Sequence, residues 1–232
     1  MDYEAKLAET RAFLKTIQAN HSPAVLANSL GVEDMVLTDL IADLGLDIGV
    51  FCLDTGRLHE ETHALLDGLG ERYPSLDFKI YTPQADALQA WVQEHGTNGF
   101  YRSVELRKQC CAIRKVEPLA RALAGKRAWL TGMRREQSPT RGQLPVESFD
   151  HDHQMMKFNP LCDWTTAEVW RYVHEHAVPY NVLHDRHYPS IGCAPCTRAI
   201  AVGEDLRAGR WWWEDADGKE CGLHVSRLDG GR

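Results

Sequence analysis

The chain has 232 residues, 44% of them hydrophobic, and a formal net charge of -7 at pH 7. This size can bury one large α/β core, and the negative charge argues against a general nucleic-acid-binding protein, whose affinity needs a positive field. No apolar run approaches the roughly 18–20 residues that span a bilayer, and the charged N-terminus lacks a signal-peptide core. We therefore expect a cytoplasmic protein with no nucleic-acid partner and no membrane partner.

Strands and helices alternate along the first part of the chain. Helical periodicity is predicted over 3–19, 35–44, 60–69, 83–95 and 104–123, and buried strands over 23–28, 47–53, 76–81 and 126–131. This alternation predicts a parallel sheet with helices on both faces. A further strand over 155–158 precedes a helix that opens at a capping box, Thr165 with Glu168 three residues later.

A Ser/Gly turn joins the first strand to its helix. The segment runs Ser29-Leu-Gly31-Val-Glu33-Asp34. Unpaired amides and the positive end of the helix dipole would make this turn an anion site, with Ser29 and Gly31 as its ligands. An ordinary turn capped by Ser29 is the alternative. A Walker lysine is absent from this turn, which argues against a P-loop for a magnesium nucleotide.

Polar residues also follow the second and fourth strands. Asp54 and Thr55 could hydrogen-bond a ribose or a phosphate, because strand ends in an open parallel sheet form the usual ligand crevice. Capping of the next helix is their other role. The fourth strand is followed by a loop that contains Thr131, Gly132, Arg134, Arg135, Ser138, Thr140 and Arg141. Its arginines predict a phosphate or sulfate clamp, and a solvated basic loop is the alternative.

Two cysteine pairs stand about eighty residues apart. They are Cys110-Cys111 and Cys193-Ala-Pro-Cys196. In an α-helix Cys111 and Lys115 share a face, and Arg107, Lys108 and Arg114 make the surroundings of the first pair electropositive. Four soft ligands predict a metal or iron–sulfur centre. Tetrahedral zinc is the second reading, although neighbouring helical side chains diverge by about 100°.

The last segment is polar but holds three consecutive tryptophans, Trp211 to Trp213, and a fifth cysteine, Cys221. The tryptophans suggest a flap that docks on the core, and the surrounding glycines suggest hinges. We therefore expect a domain over 1–200 that binds nucleotide and metal, and a mobile C-terminal flap over 201–232 that carries Cys221.

Taken together, the motifs resemble those of the assimilatory adenylyl-sulfate (APS) reductases, close kin of the phosphoadenylyl-sulfate (PAPS) reductases. The matching segments are Ser29–Asp34, Leu53–Arg57, Cys110–Lys115, Thr131–Arg135 with Thr140-Arg141, Cys193–Cys196, Arg207–Trp213 and Glu220–His224. The resemblance implies an adenine nucleotide α-hydrolase-like fold with a modified pyrophosphate loop. It also implies a [4Fe-4S] cluster on Cys110, Cys111, Cys193 and Cys196.

The implied reaction reduces adenylyl sulfate to sulfite and AMP. Cys221 attacks the sulfur, an S-sulfocysteine forms, and thioredoxin or glutaredoxin releases sulfite. The expected substrate-binding residues are Ser29, Gly31, Asp54, Thr55, Lys115, Thr131, Gly132, Arg134, Arg135, Arg141, Arg207, Arg210 and His224. Three alternatives stay open: a PAPS or dual APS/PAPS reductase, a zinc-bearing nucleotide-binding module, and an ATP-pyrophosphatase-type protein. The sequence does not fix the oligomeric state, so a homo-oligomer also stays open.

Overall fold

The structure is a computed structural model that describes residues 2–138 and 141–214. The helices of the described residues are α1 (Tyr3–His21), α2 (Val32–Asp43), α3 (Glu60–Arg72), α4 (Ala85–His95), α5 (Val104–Cys111), α6 (Glu117–Leu123) and α7 (Thr166–Glu175). The strands are β1 (Ala24–Ala27), β2 (Ile48–Leu53), β3 (Phe78–Tyr81), β4 (Ala128–Leu130), β5 (Glu147–Asp150) and β6 (Met155–Phe158). The predicted alternation of strands and helices is confirmed.

The six strands form one sheet in the order β3-β2-β1-β4-β6-β5. Each neighbouring pair is parallel except β5 and β6, which run antiparallel. The sequence analysis missed β5, because this strand is short, lies at the sheet edge and alternates between exposed and half-buried residues. The fold is therefore a mixed α/β fold with a mostly parallel sheet.

Helices cover both faces of the sheet. Successive strand residues point to opposite faces, so each strand contributes side chains to both layers. On one face Leu26, Val50 and Leu130 join the larger core with residues of α1, α2, α3 and α7. On the other face Phe51 and Trp129 pack with residues of α6. The carboxyl ends of β1, β2 and β4 thus emerge between two layers of helices.

The turn after β1 differs from the predicted Ser29 cap. Gly31 is the N-cap of α2, and it has no side chain to offer to the first amides of the helix. Leu30 adopts a φ of 63°. Its N–H donates to Asn28 Oδ1 at 2.6 Å, and Asn28 Nδ2 donates to Thr38 Oγ1 at 2.9 Å. Buried hydrogen bonds therefore hold a tight turn whose amides lie at the positive end of α2.

The helix predicted over 104–123 contains a change of register. A π-helical segment, Ala112–Val116, joins α5 to α6 directly after the cysteine pair. Pro118 lies in the first turn of α6, where a missing N–H is tolerated. The register therefore changes in a wider turn that begins before Pro118. The capping box of Thr165 and Glu168 on α7 is confirmed.

Among residues 2–138 and 141–214, no helix combines the length and the apolar character that a membrane-spanning segment needs.

Candidate active site

A cavity of about 570 Å³ opens at the carboxyl ends of β1, β2 and β4. Ligand pockets of proteins fall in this size range. Its walls combine apolar side chains, including Phe51, Leu119 and Trp129, with the turn after β1 and the loop after β4. The predicted substrate-binding residues that line it are Ser29, Gly31, Thr55, Lys115, Thr131, Gly132, Arg134, Arg141, Arg207 and Arg210.

Asp34 ties together the two loops that form the cavity floor. Its carboxylate accepts hydrogen bonds from Ser29 N at 2.9 Å, from Ser29 Oγ at 2.6 Å and from Gly132 N at 2.8 Å. Burial raises the pKa of Asp34 to about 6, although the Ser29 hydrogen bonds act in the opposite direction. The sequence analysis did not select Asp34 as a site residue. A carboxylate in the first turn of the helix that follows a Ser/Gly turn was the available signal.

Gly132 is required where the β4 loop meets α2. A Cβ atom at this position would lie 2.5 Å from Asp34 Oδ1 and 2.8 Å from Glu33 Cβ. Such distances are shorter than van der Waals contact, so any other residue would push the two loops apart. The floor of the cavity thus depends on a glycine that was predicted to bind substrate.

Arg134 differs from the predicted clamp, because protein groups already hold its guanidinium. It lies buried, pairs with Glu33 at 2.8 Å and Glu136 at 3.0 Å, and donates to Trp164 O at 3.0 Å and Thr166 Oγ1 at 3.2 Å. Two carboxylates compensate its charge. Arg134 therefore stiffens the cavity wall and adds little net positive charge to it.

Arg135 and Asp54 lie outside the lining of the cavity. Arg135 pairs with Asp163 and donates to Leu144 O at 2.9 Å. Asp54 accepts from Gly56 N at 2.8 Å and lies 3.3 Å from His63 Nε2. Neither Asp54 nor Thr55 caps α3, whose N-cap is His59. The structure thus separates Arg135 and Asp54 from the other predicted ligands.

Lys115, Arg141, Arg207 and Arg210 bring four further cations to the cavity. Arg210 is buried, and its Nη1 lies 3.4 Å from Ser190 Oγ and 3.2 Å from Ile191 O. Its Nε is also buried and has no hydrogen-bond partner among the described residues. A buried donor without a partner is costly. The arginine therefore offers an unused donor at the edge of the cavity.

The four cysteines of the two predicted pairs line a second, smaller cavity. Lys115 and Arg210 line both cavities, so the two share a wall. Thr55 also lies at this boundary, since its Oγ1 is 3.2 Å from Cys193 Sγ. The site thus consists of two adjoining chambers that are both lined by cations, and the smaller one also holds the four thiols.

Several backbone contacts fix the loop that carries the second cysteine pair. Ala194 N donates to Arg57 O at 2.7 Å, and Tyr101 Oη donates to Pro195 O at 2.6 Å. Trp211 N donates to Cys196 O at 3.2 Å. The loop is therefore bound by the end of β2, by the segment before α5 and by the tryptophan run.

The thiols differ in their electrostatic surroundings. Burial raises the pKa of Cys193, but Lys115, the Thr55 hydroxyl and two arginines lower it, and the net shift is downward. Burial and the neighbouring thiols of Cys193 and Cys111 raise the pKa of Cys196 to about 12. Burial also raises the pKa of Cys110, against the effect of Arg114. Four thiolates this close together would repel one another unless a cationic centre compensated them.

The four thiols border one cavity, with Arg107 and Arg114 beside them. Within the part of the chain that the structure describes, no three His, Cys, Asp or Glu side chains form a group that could hold a metal ion. Cysteine thiolates are ligands of both structural zinc and iron–sulfur clusters.

The beginning of the predicted flap packs on the core. Trp211 is 1% exposed, and its ring lies between the guanidinium carbons of Arg107 at 4.5 Å and Arg210 at 4.8 Å. Residues 196–198 pair with 209–211 through a bridge and backbone hydrogen bonds. Docking of the tryptophan run is therefore confirmed for Trp211. Thr140, Cys221 and His224 lie outside the described residues.

Curated relatives match almost the whole chain. It is 54% identical to an adenosine 5'-phosphosulfate reductase of Burkholderia cepacia over 97% of this chain and 89% of that protein. It is 52% identical to the protein of the same name from Neisseria meningitidis serogroup B, over 95% and 92% of the two chains. The protein of that name from Allochromatium vinosum is 55% identical over 86% and 78%.

Solved structures share the fold. A phosphoadenylyl-sulfate reductase from Candida auris superposes with a TM-score of 0.71 at 26% identity, covering 83% of this chain and 90% of that one. An FMN adenylyltransferase from Candida glabrata superposes with a TM-score of 0.60 at 14% identity, over 98% and 77% of the two chains, which supports the fold alone.

The phosphoadenosine phosphosulfate reductase domain is the family whose model matches residues 23–199, the region that contains the sheet and both cysteine pairs. With this match and relatives above 50% identity over most of its length, the chain belongs to the phosphoadenosine phosphosulfate reductase domain family.

Proposed function

We propose that this chain reduces adenylyl sulfate to sulfite and AMP, as the names of its relatives indicate for those proteins. The observation that carries the proposal is the shared wall between the two chambers. Lys115 and Arg210 line both the cavity of nucleotide size and the cavity of the four cysteines. A dianionic sulfonucleotide fits the first chamber, where cations are fixed in advance. The reduced thiols that the reaction needs suit a reducing compartment such as the cytoplasm.

The second chamber would hold a [4Fe-4S] cluster on Cys110, Cys111, Cys193 and Cys196. The cluster would supply a compact cationic centre for four thiols, of which Cys196 has its pKa raised to about 12 by burial and by the neighbouring thiols. Around it, Thr55 contacts Cys193, and Arg107 and Arg114 line the same cavity as Cys111 and Cys110. These residues fix the orientation of the ligands. Electrons for the reduction come from thiols, so no reaction step needs the cluster.

In the first step the Cys221 thiolate attacks the sulfur of adenylyl sulfate. The new S–S bond forms as the bond from sulfur to the bridging oxygen breaks, and AMP leaves with the electron pair. Negative charge accumulates on the leaving phosphate. Lys115, Arg141, Arg207 and Arg210 line the chamber in which this charge develops. A thiolate suits the attack because it is strongly nucleophilic near neutral pH.

In the second step a dithiol protein such as thioredoxin or glutaredoxin resolves the S-sulfocysteine. One of its thiolates attacks the Cys221 sulfur and sulfite leaves with an electron pair. The second thiol of the reductant then attacks the mixed disulfide, which restores the Cys221 thiol and leaves the reductant as a disulfide. Two electrons pass from the dithiol to sulfur, so the reaction balances.

An anaerobic assay tests the proposal. The protein is supplied with thioredoxin and either adenylyl sulfate or its 3'-phosphorylated analogue, and sulfite is measured. We expect sulfite from adenylyl sulfate, and none from the Cys221→Ser variant. Adenylyl sulfate consumed without sulfite release, or full activity of Cys221→Ser, would contradict it. Sulfite from both nucleotides at similar kcat/KM would establish a dual reductase.

The ligand set is tested by iron content. Serine in place of any of the four proposed ligands should lower bound iron to a small fraction of about four per chain. Cys162→Ser is the matched control. Cys162 is buried and its Sγ lies 3.1 Å from Leu144 O, and the cysteine cavity does not include it. Zinc in place of iron in the purified protein, with one ion per chain, would favour the zinc reading.

A further inference from the structure

A buried ion pair joins the cysteine chamber to the residue that precedes the proposed catalytic segment. Arg107 Nε donates to Glu214 Oε1 at 2.7 Å, and the two side chains are 1% and 4% exposed. Arg107 lies on α5, one helical turn before Cys111, whereas Glu214 is the last described residue before Cys221. The pair therefore connects two parts of the site that lie more than a hundred residues apart in sequence.

Arg107 contacts both ends of this connection at once. Its guanidinium lies 4.5 Å over the Trp211 ring, and Arg107 lines the same cavity as Cys111. Trp211 in turn accepts a hydrogen bond at its carbonyl from Glu214 N at 2.9 Å. The ion pair, the cation–π contact and the backbone turn all fix the same four-residue segment, 211–214, against α5.

Burial of the Arg107–Glu214 pair has a desolvation cost that a role in packing alone does not explain. Glu214 Oε2 is buried and has no hydrogen-bond partner among the described residues. A buried carboxylate with an unsatisfied oxygen carries a desolvation cost that apolar residues of the same size would avoid. Retaining a charged pair here is better explained by a requirement for one fixed geometry than by stability.

The short stretch of chain between Glu214 and Cys221 limits the distance between them. Cys221 follows Glu214 by seven residues, and seven extended residues span at most about 25 Å. A fixed Glu214 therefore limits how far the Cys221 thiol can lie from Arg107 and the cysteine chamber that it lines. Confinement of this kind raises the effective concentration of a tethered group.

We propose that the Arg107–Glu214 pair is a positioning device that fixes the segment 211–214, from which the chain continues to Cys221, against the cysteine chamber. Arg107 and Glu214 are positioning residues, because they act on the reaction through Cys221. The inference rests on the proposed function in one respect, namely that Cys221 is the thiol that accepts the sulfonate. Breaking the anchor should slow transfer to Cys221 and leave nucleotide binding and iron content unchanged.

The test measures a single transfer to Cys221. Anaerobic protein is mixed with saturating adenylyl sulfate in the absence of a reductant, and the reaction is stopped over a time course. Trypsin cleaves after Lys219 and after Arg227, so it releases residues 220–227 as one peptide. The sulfonated fraction of this peptide gives the transfer rate. Iron content and AMP affinity are measured on the same preparations.

We expect Glu214→Ala to lower the transfer rate at least tenfold, with AMP affinity and iron content within twofold of the unmodified chain. Glu214→Gln keeps a hydrogen-bond acceptor for Arg107 and should recover part of the rate. Glu175→Ala is the control, because it removes a carboxylate from an exposed pair with Arg171 on α7. That variant should transfer at the original rate.

The outcomes separate the inference from the function on which it rests. If the unmodified chain does not label Cys221, the proposed function fails. If it labels Cys221 and Glu214→Ala does so equally fast, the positioning role is wrong. Loss of iron or of AMP affinity in Glu214→Ala also contradicts the inference, because the pair would then support the chambers themselves.

Discussion

Asp34 illustrates how one buried carboxylate organises the nucleotide chamber. It receives hydrogen bonds from Ser29 on one loop and Gly132 on another, so its two oxygens hold the floor together. Burial raises its pKa from 3.8 to about 6. The folded protein therefore binds this proton more tightly than the unfolded chain does.

The raised pKa of Asp34 predicts how stability depends on pH. Its stabilising contribution is full below about pH 3.8 and is lost as pH rises through about 6. Lowering the pH from 8 to 5 should therefore increase the free energy of unfolding by about 1.4 kcal/mol through Asp34. Chemical unfolding of the anaerobic protein at both pH values should show this increase, and Asp34→Asn should lack it.

The exposed carboxyl of Asp77 supplies the control for that measurement, because Asp77→Asn should keep the pH dependence of the unmodified chain. If Asp34→Asn and the unmodified chain gained the same stability between pH 8 and pH 5, Asp34 would not be the group responsible.

At the residue scale, residue type and spacing predicted which side chains would line the site. They did not predict which of the arginines would be compensated by neighbouring carboxylates. The four cysteines, Lys115 and Arg210 could be selected from short motifs, and all six line the smaller chamber. Arg134 could not be distinguished from them. The carboxylates that compensate it, Glu33 and Glu136, reach it only after the turn following β1 meets the loop following β4. Long-range pairing of this kind leaves no local pattern.

At the element scale, the π-helical segment between α5 and α6 sets the direction of the cysteine pair. An α-helix closes a turn in 3.6 residues, whereas the wider π turn over Ala112–Val116 inserts the equivalent of one extra residue. Cys110 and Cys111 lie before this insertion, and Lys115 lies within it. π-Helical turns are frequent at functional sites. Here Cys110, Cys111, Arg114 and Lys115 line the same chamber across the π turn.

Removing the insertion should therefore disrupt the proposed iron–sulfur site. Deletion of Ala112 would close the π turn and displace Arg114 and Lys115, which line the cysteine cavity, relative to Cys110 and Cys111. We expect bound iron to fall at least fivefold, measured by metal analysis of the purified protein. Ala112→Ser keeps the chain length at the same exposed position and should retain iron. Full iron content after the deletion would mean that the register does not matter.

The sequence could not predict this segment, because the residues of 112–116 are equally suited to an α-helix. The choice depends on contacts made elsewhere. Arg114 donates from this segment to Thr55 O at 2.5 Å, at the end of β2, and it is buried. Tertiary contacts of this kind override local helix propensity.

At the scale of the whole molecule, the alternation of strands and helices was enough to predict a parallel sheet covered on both faces. The strand order and the antiparallel edge strand β5 were not predictable. Strand order depends on which crossovers pack together, and β5 lacks the buried, β-branched pattern of a central strand. The two chambers arise from this topology. The carboxyl ends of β1, β2 and β4 lie on the same side of the sheet, and residues of the segment 193–211 line both chambers there.

That topology couples the two chambers, so removal of the proposed iron–sulfur cluster should weaken nucleotide binding. The loop of Cys193 and Cys196 holds Trp211 through a backbone hydrogen bond, and Trp211 packs on Arg210, which lines both chambers. Without a cationic centre the thiols lose the group that holds this loop. We expect AMP affinity to fall about tenfold, or about 1.4 kcal/mol, after iron is removed by a chelator under reducing conditions.

Isothermal titration with AMP measures the change, and reconstitution with iron and sulfide should restore the original affinity. Gly192→Ala is a second perturbation of the same coupling, because a Cβ atom there would lie 2.4 Å from Arg210 Nη2. It should weaken AMP binding without removing iron. Gly68→Ala on α3 is its control, since nothing lies within 4 Å of the added atom. Equal AMP affinity with and without iron would show that the chambers are adjacent but independent.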